Sequence, residues 1–317
     1  MSTGQTHAKT SGKRRLRLRA QRRTTSDARA AYAFMAPAIT GFCVFVLYPL
    51  IRSAYFALTR YNGLSDPQFV GLANFRYMFH DDPSFWPSVR ATSYLVLLYV
   101  PASLVIGLAL AMFCNQRLRG VKWVRTLLYL PVVLPVVATI TLWKFVFDPQ
   151  VGLANMVAGW LHLPTSLWLS SPSMAMPSVV IVMLWGVGST MIIFLAALQA
   201  VPTELYEAAK LDGASSRTVF FRITLPMISP ILFLQVVLQV TTALQSFNQP
   251  KILTGGGPGF STDVLMLSIY SHGFSTLGQM PQLGYASAQV WVLFLVIVAI
   301  VAATARFSSI WTYSDHA

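Results

Sequence analysis

The side chains able to make or break bonds are few, and their spacing argues against covalent chemistry in this chain. All ten acidic residues lie away from the middle of the long apolar runs: Asp27, Asp66, Asp81, Asp82, Asp148, Glu204, Glu207, Asp212, Asp263 and Asp315. A carrier driven by protons or sodium commonly uses a carboxylate within the membrane, so ion coupling has no obvious residue here. The histidines (His7, His80, His162, His272 and His316) show no metal-ligand spacing, and no serine nucleophile elbow occurs. No G-x-x-x-x-G-K-[ST] loop is present to cradle ATP. The glycine cluster Gly255-Gly256-Gly257-Pro258-Gly259 lacks the lysine and reads as a turn. What remains is recognition chemistry, concentrated in a polar island and a stripe of carboxamides.

The island spans 201–230, VPTELYEAAKLDGASSRTVFFRITLPMISP, between two long apolar stretches. Thr203 can cap a helix whose first turn carries Glu204 and Glu207, acids suited to the positive end of the helix dipole. Ala208, Ala209, Lys210 and Leu211 favour helix, and Gly213 follows Asp212 where a left-handed cap belongs. A helix of about two turns should therefore end at Gly213. Ser215 or Ser216 can cap a second short helix carrying Phe220, Phe221 and Ile223, until Leu225-Pro226 admits the chain to the next apolar stretch. Helix, glycine turn, helix in a loop of a membrane chain describes a docking surface.

The stripe lies on that next stretch. Gln235, Gln239, Thr242, Ser246 and Gln249 recur at helical spacing, with Gln245 and Asn248 near the same end. Carboxamides facing lipid are costly, so this face meets a partner helix or an aqueous cavity. Interhelical hydrogen bonding and a substrate-lining face both satisfy that requirement. Trp185, followed by Gly186, Gly188, Ser189 and Thr190, offers a ring that could stack on a sugar, among small residues that also permit close packing.

The elements that position these groups follow from composition. With 55% hydrophobic and 10% charged residues, this is an integral membrane chain, and its net charge of +13 does not mark a nucleic-acid binder. Apolar runs long enough to cross about 30 Å of hydrocarbon fall near 31–57, 92–114, 127–147, 174–198, 227–247 and 285–310. The expected fold is thus an all-α membrane protein of six transmembrane helices (31–317), preceded by a basic arm (1–30) that is disordered or lies on anionic lipid. The first run has span length and no clear cleavage site before polar sequence, so it is expected to remain as an anchor.

Arg117, Arg119, Lys122 and Arg125 follow the second run, and Lys210, Arg217 and Arg222 lie in the island, whereas the alternate loops are poor in basic residues. By the positive-inside rule the island and both termini are cytoplasmic. Lys144 and Arg52 lie near outer span ends, where their charged heads reach the interface. Cys43 and Cys114 fall at different depths, so no disulfide is expected.

Glu207-Ala208-Ala209, three residues, Gly213, nine residues, then Ile223-x-Leu225-Pro226 resembles the EAA loop of permease subunits in bacterial binding-protein-dependent ABC importers. The segments Phe69-Val70-Gly71-Leu72-Ala73-Asn74-Phe75, Gly152-Leu153-Ala154-Asn155, Thr254-Gly255-Gly256-Gly257-Pro258 and Gly284-Tyr285-Ala286-Ser287-Ala288 are similar to the carbohydrate branch, in particular the first permease subunit of maltose, lactose and glycerol-3-phosphate systems. Departures at Thr190, Val132 and Val136 weigh against maltose itself.

The resemblance implies a type I importer fold in a bacterial inner membrane. Glu204, Glu207, Ala208, Ala209, Asp212, Gly213, Ile223, Leu225 and Pro226 would then dock a separate ATPase. Trp185, Thr190, Gln239, Thr242, Gln245, Ser246, Asn248 and Gln249 would line a pathway for a sugar, polyol or glycerophosphodiester. Implied partners are a second homologous permease, two ATPase subunits that bind ATP and magnesium, and an extracytoplasmic solute-binding protein; this chain itself would hold no cofactor. A self-contained secondary carrier or channel is the competing class, favoured only by the helix count. A scaffold without transport leaves the motif spacing unexplained.

Overall fold

The computed structural model describes residues 30–116, 119–274 and 280–311, so positions 1–29 of the basic arm and Arg117 lie outside the described residues, and Ala30 already belongs to the first helix. The chain divides into two compact units after Tyr55. The described part of the first is helix α1 (Ala30–Ala57), whose last two residues open the second unit. A π turn at Cys43–Leu47 interrupts it, and no residue of its apolar window is buried. A helix apolar on every side is the expected form of a membrane span.

The second unit begins with a two-stranded antiparallel hairpin, β1 (Thr59–Arg60) and β2 (Gln68–Phe69), with Thr59 opposite Phe69. α2 (Ala73–His80) follows, and the Asn74 amide donates to the Ala57 and Thr59 carbonyls at 2.9 Å each, fixing the chain where it leaves α1. α3 (Phe85–Cys114) is the spine: its 30 residues extend about 45 Å. It begins seven residues before the expected span, because the polar turn containing Ser88 and Arg90 is still helical.

Two expected straight spans are bent pairs. α4 (Val121–Val133) and α5 (Val136–Val146) meet at 100°. Pro135 has no amide hydrogen and drives Leu134 to an extended ψ of 147°, which ends α4. After α6 (Leu153–Trp160), α7 (Ala175–Leu184) and α8 (Gly188–Ala200) meet at 50° around Gly186. Then come α9 (Thr203–Leu211) and α10 (Ser216–Val219), the latter running on through a π turn, Phe220–Thr224, to Met227. The expected span over 227–247 is present as Ser229–Leu253, in which a short break separates α11 (Ser229–Leu244) from α12 (Asn248–Leu253). α13 (Leu265–Gly273) and α14 (Leu283–Trp311) complete the chain. Among the described residues four helices are long and apolar enough to span a membrane, or six if each bent pair counts as one.

Three buried clusters lie along α3. Leu95 and Tyr99 join Met176, Val179 and Leu267; Phe85 joins Met78, Ile269 and Tyr285; Ala111 and Cys114 join Met191, Phe194 and Ile228. The last of these supports the polar island.

Candidate functional site

At the Cys114 end of α3 the island forms the expected pair of helices, with one change at its entry. Thr203 is the first residue of α9 rather than its cap, and Pro202 stands in the cap position without a side-chain bond. Proline's fixed φ and missing donor suit a helix start, where the amide hydrogens have no partner in any case. Gly213 adopts φ +69°, the left-handed conformation that admits glycine most readily, and turns the chain toward α10. The Ala214 amide donates to Ala209 O at 2.9 Å, closing the end of α9. Ser215 caps α10 by accepting from Thr218 N at 3.3 Å.

The pair is held from beneath by a few groups. Ala209, Val201, Thr224 and Ile228 are buried, and the Tyr206 and Thr224 hydroxyls meet at 3.2 Å. Glu204, Glu207, Ala208, Asp212 and Gly213 all face outward, while Ile223, Leu225 and Pro226 are half-buried. Two apolar side chains that the motif did not single out also face outward: Leu211 is 90% exposed and Phe221 63%. The signal was present in the sequence, since a leucine among Lys210 and Asp212 has no polar role.

The pathway candidates separate into two sets. Gln239 Nε2 donates to Thr190 Oγ1 at 2.8 Å and to Gln235 Oε1 at 3.2 Å, while the Tyr99 hydroxyl donates to Gln239 Oε1 at 2.9 Å. These four side chains are buried and tie α3, α8 and α11 together. Ser246 is also buried, against the Met183 sulfur at 3.8 Å. Thr190, Gln239 and Ser246, expected to line the pathway, therefore reach no open space in this conformation. Tyr99 was not anticipated, because one tyrosine in an apolar run carries no periodic signal.

The other set faces open space. Thr242, Gln245 and Asn248 are exposed and Gln249 is half-buried. Thr242 directs its hydroxyl back to Leu238 O at 2.8 Å. Trp185, 48% exposed, stands edge-on to Trp143 with ring centroids 5.4 Å apart. It lines two adjoining hollows: one of about 290 Å³ with Trp143 and Leu142, and a smaller one with Val136, Gly186 and Gln249. Thus the stripe that sequence spacing treated as one face is two, with Gln235 and Gln239 turned inward and Thr242, Gln245 and Gln249 turned outward.

The Phe85 end of α3 holds a polar group absent from the sequence reading. Asp82 accepts from the Tyr285 hydroxyl and from Ser84 N and Oγ at 2.8 and 2.7 Å. Burial pushes this carboxyl up, but those donors outweigh it and hold it below the usual range. Asp263 accepts from Ser88 Oγ at 2.9 Å, and burial holds it above the usual carboxylate range. Thr92 Oγ1 accepts from Leu265 N at 2.8 Å, pinning the start of α13. No group of three or more potential metal ligands occurs among the described residues.

An α-helical chain of several spans, with an exposed helix–glycine–helix at one end and an open aromatic and carboxamide face, defines a membrane-embedded subunit of a larger assembly. The chain belongs to the family described as binding-protein-dependent transport system inner membrane component, whose model matches residues 103–312. It is 33% identical over 300 residues to the probable ABC transporter permease protein YesP of Bacillus subtilis, covering 94% of this chain and 96% of that protein. It is 34% identical to the sulfoquinovosyl glycerol transport system permease protein SmoG of Agrobacterium fabrum, over 88% of this chain and 90% of that one. A chain in the crystal structure of a bacterial alginate ABC transporter, in complex with an alginate pentasaccharide-bound periplasmic protein, superposes with a TM-score of 0.80. That match covers 92% of this chain and 98% of the other at 24% identity, and shows a shared fold. The permease family indicated by the Glu207 to Pro226 motif is thereby established, and the protein is a multi-pass transport subunit rather than a self-contained carrier.

Proposed function

We propose that this chain forms half of the translocation pathway of an ATP-driven importer for a sugar, or a related polyol or glycerophosphodiester. The observation that carries the coupling role is the α9–α10 pair. It is anchored by Ala209 and Thr224, yet leaves Leu211 and Phe221 uncovered, as it does Glu204, Glu207 and Asp212. Such a surface fits the cleft of a separate ATPase subunit, two copies of which would bind the ATP and magnesium. A second homologous permease would supply the other half of the pathway, and an extracytoplasmic binding protein would deliver the substrate. The distribution of Lys and Arg supports both termini and the α9–α10 pair being cytoplasmic.

Within this reading, Trp185, Gln249 and the outward residues Thr242, Gln245 and Asn248 line the pathway. Indole faces and carboxamides suit the apolar and hydroxyl faces of a sugar. SmoG, named for a sulfoquinovosyl glycerol system, supports this substrate class. Gln239, Thr190 and Ser246 act from behind, fixing the helices that present those groups.

Proteoliposomes test the proposal. We expect uptake of a radiolabelled sugar glycoside only when this chain is reconstituted with its second permease, ATPase and binding protein, and with ATP inside. Uptake by the chain alone down an ion gradient would contradict the proposal.

A further inference from the structure

We propose that the hollow between β1, α2 and the start of α14 binds a glycerophosphate group at the membrane surface. The inference needs the chain to span a membrane and does not depend on the transport reading.

The depth of the hollow follows from where two spans end. One span ends at Ala57 and another begins at Leu283. The chain just after the first is pressed against the start of the second: Gly284 N donates to Tyr61 O at 3.0 Å, and a Cβ at Gly284 would lie 2.1 Å from Thr59 O. Beside this contact opens a hollow of about 810 Å³, within the range of small-ligand sites. Its place at the ends of two spans puts it at the level of lipid phosphates rather than of hydrocarbon.

The walls carry one cation and no acid. Along β1, Thr59 is buried and Arg60 exposed, so the pleat that turns the threonine inward turns the arginine to the hollow. The guanidinium has no bonding partner among the described residues. Two wall asparagines have amides whose orientation the backbone sets. Asn62 Oδ1 accepts from Leu64 N at 3.0 Å and Ser65 N at 2.9 Å, so its NH2 group is the unspent end. Asn74 Nδ2 donates to Ala57 O and Thr59 O at 2.9 Å each, so its Oδ1 is the unspent end. Flipping either amide would set donor against donor or acceptor against acceptor. Tyr61, stacked on Phe56 at 4.6 Å, and Tyr77, edge-on to Tyr285 at 5.2 Å, add fixed rings. Asp82 is bonded to the Tyr285 hydroxyl and is not a wall residue.

A guanidinium with an amide donor suits phosphate oxygens, and an unspent amide oxygen suits a glycerol hydroxyl. A bare phosphate would leave the Asn74 acceptor unused. An arginine that only reaches for the interface needs no oriented amide beside it.

Native mass spectrometry of the delipidated full chain, within its detergent-solubilised assembly, tests the site. One arm titrates dioleoylphosphatidylglycerol, a second glycerol-3-phosphate, and a third dioleoylglycerol, which lacks the phosphate. A one-to-one adduct on this chain with a phosphate ester is expected, weakened at least about tenfold by Arg60→Gln and by Asn62→Asp. Asn62→Asp keeps the acceptor for Leu64 N and Ser65 N, so the loop holds its shape while the second oxygen repels phosphate. A purely structural role for Asn62 would therefore leave that variant's binding unmoved. An adduct with the lipid alone assigns the group to a phospholipid head, and one with the soluble ester assigns it to a free ligand. No adduct in either phosphate arm, equal binding of dioleoylglycerol, or adducts unchanged in either variant would overturn the site.

Discussion

The two ends of α3 meet their surroundings by different means. Near Phe85 three polar groups are bonded inside the chain: Asp82 by Tyr285 and Ser84, Asp263 by Ser88, and Leu265 N by Thr92. What that end leaves outside is the 254–263 turn, bonded so tightly that Phe260 is held in a strained conformation. Near Cys114 a helix pair rests on a handful of buried side chains and exposes its acids together with Leu211 and Phe221. The bonds at the Phe85 end lie within the chain, so the fold itself sets the shape of that turn. A helix pair with one glycine hinge suits a partner that must push or pull on it.

Substitutions that act within the chain should separate from those that act between chains. The largest effect is expected from Gly188→Val. A Cβ at that position would lie 2.2 Å from Leu128 O, where α8 crosses α4, so the backbones must part. Loss of the folded protein from the membrane, read by fluorescence-detected size exclusion, is the expected result. Gly213→Val comes next. No atom lies within 4 Å of the Cβ it would gain, so the chain should still fold, but a β-branched residue at φ +69° strains the turn and tilts α9 against α10. Accumulation near the normal level with loss of most substrate-stimulated ATPase activity is expected.

Smaller effects sharpen the comparison from within. Tyr99→Phe removes the donor to Gln239 Oε1, and about 0.6 kcal/mol is typical for such a bond between membrane helices. A fall of a few degrees or less in melting temperature, with unchanged recovery of partner subunits, is expected. Asp263→Asn should have the smallest effect and a pH-dependent one. Because burial raises this carboxyl, the folded chain holds its proton to higher pH than the unfolded chain does, so its contribution to stability is lost as pH rises through the raised value. The asparagine variant should therefore gain thermal stability relative to the parent at neutral pH and lose that advantage near pH 4, with Ser88 keeping an acceptor.

Much of this architecture was legible because its signals are local. The Gly213 turn, the Ser215 cap and the six apolar stretches depend on residues close in sequence, and the structure has each of them. The bends at Leu134 and around Gly186 were missed because hydropathy ignores what a Pro or Gly does within an apolar run; Pro135 was the available clue. The stripe from Gln235 to Gln249 reads as one face, but α11 ends at Leu244 and α12 starts at Asn248, so Gln235 and Gln239 bond within the helix bundle while Gln245, Asn248 and Gln249 lie beyond a break that periodic spacing ignores. The Asp82–Tyr285 and Ser88–Asp263 contacts join residues 203 and 175 positions apart, and no spacing rule reaches that far.

The central claim is that the α9–α10 surface docks an ATPase. The most direct test is to isolate the assembly from its native membrane through a mild tag on this chain and measure how much ATPase subunit accompanies it, for the parent and for Glu207→Ala/Leu211→Asp, whose side chains are exposed and carry none of the fold. The account predicts stoichiometric recovery with the parent and at least about a tenfold loss with the variant, while the second permease stays bound. Equal recovery of the ATPase with both would contradict it.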